Sequence, residues 1–371
     1  MADAEILSDK YSEQLLPNTM VHIIEAAFGI FGNSLVLLMY TKYVKDKTGT
    51  RYFIPILAFI DLSGCISNVT QFHLDNTQRY TYPNVYLCKT LYFLLILTGG
   101  FSAHLILAIA LQRYLIICRP FSQQMSRKSC RIAILAIFLF SVGYASPVLK
   151  FGGFYSTTVE DNYQNVTRNI SVLVCHSDDG TNGTGVMVPY FGFLLLLSFI
   201  NIFVTTALYI PVTKTIYRTL SPTRRNRTSN IVDVDTNITS KETQSSTVEK
   251  IAMVEFPQND VRKSYIAPQN TSTIDKNREQ KARKKISVMF LVIIIVYVVS
   301  YLTSLITQVH SFATRIELKG YELNIYFFCL RFNLLNHIAN PYIYWFYDIR
   351  FRNELQKFCC GGTIRRYSFS A

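Results

Sequence analysis

The chain reads as an all-α integral membrane protein: a seven-transmembrane-helix bundle followed by a short amphipathic eighth helix. Two observations carry that reading. Seven runs are long and apolar enough to cross a hydrocarbon core, which takes roughly 20 mostly apolar residues. Half of the 371 residues are apolar and only 16% are charged, whereas soluble domains carry about 25%. A net charge of +13 would suit nucleic acid if it were gathered on one surface, but its placement reports membrane topology instead.

The runs lie at 21–43, 52–73, 86–118, 131–150, 186–217, 284–309 and 322–347. The clearest is Ile286 to Leu305, which holds no charge, and the weakest is the seventh, interrupted by Arg331, Asn333, Asn336, His337 and Asn340. All are continuously apolar rather than alternating, which argues against a β-barrel. Residues 1–20 are polar and acidic, and the apolar run after them continues too long for a cleavable signal. They are read as an N-terminal segment, 21–347 as the membrane domain and 348–371 as a helix and tail.

Orientation follows from the loops. Of the 37 Lys and Arg, 29 fall in 42–51, 113–131, 214–285 and 350–366, and such loops face the cytoplasm. The N-terminus is then extracellular, as in a multi-pass plasma-membrane protein, and the basic face meets anionic lipid rather than DNA. The segment 220–279 is rich in Ser, Thr, Asn, Gln and charge and too poor in aromatics to pack a core, as a disordered cytoplasmic loop would be. No internal repeat is present, which argues against an inverted-repeat transporter.

From Asp348 to Cys360 the pattern is amphipathic. Phe351, Leu355 and Phe358 share one face, and Arg350, Arg352 and Lys357 lie elsewhere, as in a helix resting on a membrane surface. Cys359 and Cys360 after it are read as acylation sites, or else as free thiols. The eight cysteines show no metal-ligand spacing.

Polar residues within spans are costly and usually functional. Asn33, Asp61, Ser102, Asn336 and Asn340 are such residues. They either glue helices together or surround water and a small hard cation, with Asp61 as the charge. Gln112-Arg113-Tyr114 closes span three. Asn340-Pro341-Tyr342-Ile343-Tyr344 closes span seven, where the proline removes a backbone hydrogen bond and the adjacent asparagine is placed to satisfy the freed carbonyl.

In this order, one per span, the motifs resemble those of the rhodopsin-like (class A) G-protein-coupled receptors, along nearly the whole chain. They are Gly32-Asn33, Leu57-Ala58 with Asp61, Cys88 with Arg113-Tyr114, and Asn340-Pro341 with Tyr344. The resemblance implies a G-protein switch of Arg113, Tyr114, Tyr209, Asn340, Pro341 and Tyr344. It implies a sodium ion at Asp61, Ser102, Asn336 and Asn340, a Cys88–Cys175 disulfide, and no catalytic residues or further cofactor.

Departures accompany it. Gln112 stands where the family has an acid, and a neutral amide cannot hold Arg113 with the opposite charge of a carboxylate, which makes the stronger bond. Ser300-Tyr301-Leu302-Thr303 replaces Cys-Trp-x-Pro, making Tyr301 the toggle. Asn201 stands where helix five should have a proline, and helix four lacks its tryptophan.

Ligand classes narrow by elimination. Leu95 stands where amine receptors place an aspartate, and Leu334 where opsins place their retinal-binding lysine. The N-terminal segment is too short for a folded ligand-binding domain. What remains is a peptide or a non-amine small molecule. Glu160, Asp161, Asp178 and Asp179 would steer a cationic amidated neuropeptide, unless that loop is only solvated and glycosylated at Asn165, Asn169 or Asn182. Arg331 would face a ligand acid or amide carbonyl, with Gln71, Tyr92, Leu95, Gln308 and Phe327 around it.

Expected partners are an extracellular ligand, a heterotrimeric G protein, a receptor kinase and arrestin. A seven-helix channel or transporter, with a path through Asp61, His104 and His337, is the competing reading. It is opposed by the nearly unbroken apolar character of spans four and six. An enzyme would need a motif such as H-E-x-x-H or G-x-S-x-G, and none is present.

Overall fold

The computed structural model describes residues 2–44, 49, 51–163, 166–176, 187–220, 271–314 and 318–359. The side chains of Glu160 and Asp161 lie outside the described residues, as do Asn165, Asp178, Asp179, Asn182, Cys360 and the inner loop from 221 to 270. The chain divides into two compact units. One is the bundle, Met1–Thr213 with Lys285–Ala371, and the other is Lys214–Lys284.

The elements are α1 (Ala2–Gln14), α2 (Leu16–Leu38), α3 (Ile54–Thr77), α4 (Val85–Cys118), α5 (Arg127–Ala145) and α6 (Pro147–Phe151). A hairpin of β1 (Gly153–Tyr163) and β2 (Val166–His176) follows, then α7 (Met187–Leu220), α8 (Thr271–Thr314), α9 (Tyr321–Leu330), α10 (Leu334–Tyr347) and α11 (Ile349–Cys359). Local chemistry starts several of these helices. Proline occupies the first turn of α2, α3 and α6, where its missing N–H is no loss. The Asn84 side chain caps α4 by accepting from the Tyr86 amide at 2.7 Å, and Ser126 caps α5 through the Ser129 amide.

Among the described residues, six helical stretches are long and apolar enough to span a membrane. The expected seventh differs: it is two helices, α9 and α10, each too short to cross alone, joined by a tight turn at Arg331–Asn333. Within a bilayer every backbone polar group must be satisfied by protein, and Ser304 of α8 serves this break. Its Oγ accepts from the Asn333 amide at 2.9 Å, while its one proton is shared between the Ser300 carbonyl at 3.2 Å and the Cys329 carbonyl at 3.4 Å.

Three further expectations change. The polar N-terminal segment holds a helix, α1, and α2 begins at Leu16 rather than 21. The loop after α6 contains an antiparallel hairpin, in register from Gly153↔His176 to Tyr163↔Val166. The helix α8 begins at Thr271, inside the segment read as disordered.

Large apolar side chains such as Phe31, Phe59, Leu135, Leu196, Phe203 and Ile306 are exposed on the outside of the bundle. Leu57, Leu105, Ile106, Ile109, Phe290 and Tyr297 are buried within it. Lipid tails are as apolar as leucine, so close packing and interhelical hydrogen bonds must hold the helices together. Gly32 shows the close packing: a Cβ there would lie 2.9 Å from the Pro341 ring of α10.

Pro341 has no N–H, so the His337 carbonyl four residues earlier has no partner within its own helix. The sequence pointed to Asn340 as the residue that satisfies it. The structure assigns that task to Asn33 of α2, whose Nδ2 donates to the His337 carbonyl at 2.8 Å and to the Gly29 carbonyl at 2.9 Å. Asn340 is turned elsewhere, toward Asp61.

At the end of the bundle holding the N-terminus, Cys88 and Cys175 form a disulfide with Cα atoms 6.0 Å apart. It ties β2 to the first turns of α4. Leu7 of α1 packs on Val172 and Val174 of β2, so the hairpin is pinned from both sides.

Replacing Asn33 with Ala leaves the His337 carbonyl with only a long Cys65 thiol contact, 3.8 Å. Interhelical hydrogen bonds in membranes are worth about 0.6–2 kcal/mol, so a melting temperature lower by a few degrees is expected in the purified, detergent-solubilised protein. An unchanged melting temperature would remove Asn33 as the clip.

Candidate functional site

Three polar centres stand in the bundle, and each forms where helices bring distant residues together.

The first is a cavity of about 690 Å³ at the disulfide end, within the size range of ligand sites. All six residues singled out for ligand contact line it: Gln71, Tyr92, Leu95, Gln308, Phe327 and Arg331. Arg331, at the end of α9, is 4% exposed. Its Nη1 donates to Asn18 Oδ1 and Asn76 Oδ1, both at 2.8 Å, and its guanidinium lies 4.7 Å over Phe72 and 4.5 Å over Phe327. Two asparagines and two aromatic faces hold one cation in place without neutralising it.

Asp75, Arg79 and Tyr11 also line the cavity and escaped the sequence reading. Asp75 accepts from Gln71 Nε2 at 2.8 Å, and Tyr82 donates to Gln71 Oε1 at 3.0 Å. Arg79 stands 5.1 Å from the centre of the Tyr11 ring. Burial pushes the Tyr11 hydroxyl pKa up, and Arg79 partly offsets it. Asp75 sits one helical turn past Gln71, a spacing that could have flagged it. Nothing in the sequence places Tyr11 there, because only the fold brings α1 over the cavity.

At the cavity floor, the toggle candidate Tyr301 donates to the Gly99 carbonyl at 2.8 Å. Tyr297, one turn earlier, donates to Asn201 Oδ1 at 2.6 Å. Asn201, which replaces the expected helix-five proline, thus ties α7 to α8. Leu334 lies away from the cavity, packed with Cys65, Val69, Phe72 and Ile338.

The second centre surrounds Asp61 of α3, which has no solvent exposure. Its Oδ1 accepts from Ser102 Oγ at 3.0 Å and from His337 Nδ1 at 2.8 Å, and its Oδ2 accepts from Asn340 Nδ2 at 2.7 Å. Asn336 Nδ2 donates to Ser102 Oγ at 3.1 Å. The four residues expected together are together. His337, which the sequence suggested only as part of an ion path, joins them as a direct partner of Asp61. His104 does not belong to this cluster; its Nδ1 lies 2.6 Å from the Gly100 carbonyl, and its ring lines the cavity.

The third centre is at the opposite end. Arg113 is buried, donates to Gln112 Oε1 at 3.1 Å, and stacks 4.3 Å over Phe290 of α8. Gln112 in turn donates to the Gly49 carbonyl at 3.3 Å. Tyr209 donates to the Ser287 carbonyl at 2.7 Å, linking α7 to α8, while Tyr344 is fully buried against Tyr40. Tyr114 is half-buried beside Arg113.

Asp348, absent from the sequence reading of sites, binds this end together. It takes Arg51 Nε at 2.6 Å and Tyr40 Oη at 2.7 Å on Oδ2, and it caps α11 through the Arg350 amide at 3.0 Å on Oδ1. Phe351 of α11 stacks on Tyr40 at 5.5 Å, and Cys359 is exposed at the last turn of α11.

These arrangements suit ligand capture and helix rearrangement. The sequence profile of the 7 transmembrane receptor (rhodopsin family) matches residues 32–344. The human protein named "Probable G-protein coupled receptor 19" is 32% identical over 34% of this chain and 30% of its own length. The mouse "Substance-K receptor" is 28% identical over 54% of this chain and 50% of its own. The chain thus matches a third to a half of the length of these relatives. The crystal structure of squid rhodopsin superposes with a TM-score of 0.64 at 16% identity, covering 98% of this chain and 89% of that one, which shows the shared fold. With a profile match that runs from α2 to α10, the chain belongs to the rhodopsin family of seven-transmembrane receptors.

Proposed function

We propose that the chain is a plasma-membrane receptor for an extracellular peptide and that it activates a heterotrimeric G protein in the cytoplasm. The N-terminus and disulfide then face outward, as the Lys/Arg distribution requires. The observation that carries the peptide reading is the charge of the cavity wall. Among the described residues, two arginines, Arg79 and Arg331, stand against one aspartate, Asp75. Such a wall disfavours a simple amine and offers donors to a carboxylate or an amide carbonyl, with an acceptor nearby for a ligand's own cation or amide N–H. A peptide terminus presents those groups together. The mouse Substance-K receptor and the fly "Tachykinin-like peptides receptor 86C", which matches over 37% of this chain, support the same reading by name.

Inside, Arg113 held over Phe290 and Tyr209 held on Ser287 both bridge to or engage α8. Moving α8 outward would free both side chains for a G protein. Acylation at Cys359, kinase action on the inner loop and arrestin binding would follow as regulation. The test is G-protein activation in cells given a panel of short peptides, each as amide and as free acid. Activation by none of them, with the receptor at the surface, would defeat the peptide reading.

Three substitutions sharpen this. Arg331→Ala should lower peptide potency about tenfold to hundredfold at matched surface expression, since hydrogen bonds to charged groups are worth about 1.5–3 kcal/mol. Arg113→Ala should abolish activation while leaving ligand binding within a few-fold. Gln112→Asp should lower ligand-free signalling, because a carboxylate adds an opposite charge to the bond that the neutral amide makes with Arg113. Equal basal signals in the two proteins would show that the amide imposes no deficit.

A further inference from the structure

The family resemblance implies a sodium ion beside Asp61, and the side chains there do not fit one. A hard cation needs several oxygen atoms turned toward it. Around Asp61 the neighbours turn hydrogens instead: the Ser102 hydroxyl, the Asn340 amide nitrogen and the His337 Nδ1–H all point at the carboxylate. The Ser102 oxygen already accepts from Asn336 Nδ2, and Asn336 Oδ1 is buried there without a partner, a single oxygen where a hard cation needs several.

The imidazole cannot easily leave. Its ring is fully buried, and its own backbone carbonyl is clipped by Asn33. Gly64 of α3 makes its room, since a Cβ at that position would lie 3.1–3.2 Å from the ring atoms. A histidine in α10 facing a glycine in α3 is a matched pair of size and space.

We propose that His337 occupies the place of the cation, so that the centre of this receptor is closed by an imidazole–carboxylate bond and does not bind sodium. The helices that an ion would bridge, α3, α4 and α10, are joined here by direct hydrogen bonds. The receptor's stability is then indifferent to sodium.

The test uses the purified full-length receptor, melted in sodium chloride and in potassium chloride at equal ionic strength. The wild type should melt at the same temperature in both. His337→Ser restores an oxygen and opens the space, and it should gain a sodium-specific rise of about 3 °C or more, lost again when Asp61→Asn is added. His337→Asn serves as a second variant if the serine form does not fold, and if neither folds the wild-type comparison decides alone. A saturable sodium-specific rise in the wild type, abolished by Asp61→Asn, would overturn the proposal. So would folded serine or asparagine variants as indifferent to sodium as the wild type.

Discussion

Pro341 leaves one carbonyl unpaired in the middle of a membrane bundle, and much of the architecture follows from how that carbonyl is answered. Water cannot reach it, so a neighbouring helix must. Asn33 does so, which forces α2 close to α10, and Gly32 beside it makes the approach possible. With Asn33 committed there, Asn340 is released to face Asp61. The polar heart of the molecule is thus arranged around a bond that a proline cannot make.

The same economy recurs at the broken seventh span. The turn at Arg331–Asn333 would strand the Asn333 amide in lipid were Ser304 not placed to accept from it. In exchange, the turn carries Arg331 into the cavity rather than along a helix flank. An uninterrupted helix would bury its backbone more simply but would present a different face to the ligand. Irregularity at membrane depth is tolerated where it lines a cavity, and here it positions the cavity's most buried cation.

Continuous apolar runs made the bundle legible in the sequence, because nothing soluble needs so many of them. Gln71, Gln308 and Arg331 of the cavity were legible for a related reason: a costly polar side chain near the top of a span must face inward. What escaped notice depended on contacts across distant segments. His337 pairs with Asp61, 276 positions away, and no local pattern distinguishes it from a packing histidine. Asp348 read as the polar start of an amphipathic helix, yet it is a buried anion shared by Arg51 and Tyr40. The hairpin was hidden because the β-branched residues of Val166–His176 carry no turn signal strong enough to stand out from a long polar loop.

Asp348 fixes more than a cap. One of its oxygens starts α11, and the other is held by the first loop and the end of the first span. The foot of α10 is therefore anchored on its N-terminal neighbours, like a hinge leaf screwed to its frame, while α8 meets Arg113 through Phe290 and Tyr209 through the Ser287 carbonyl. The ion pair, the tyrosine bond and the helix cap share one carboxylate, so any shift of the α10 foot strains all three together.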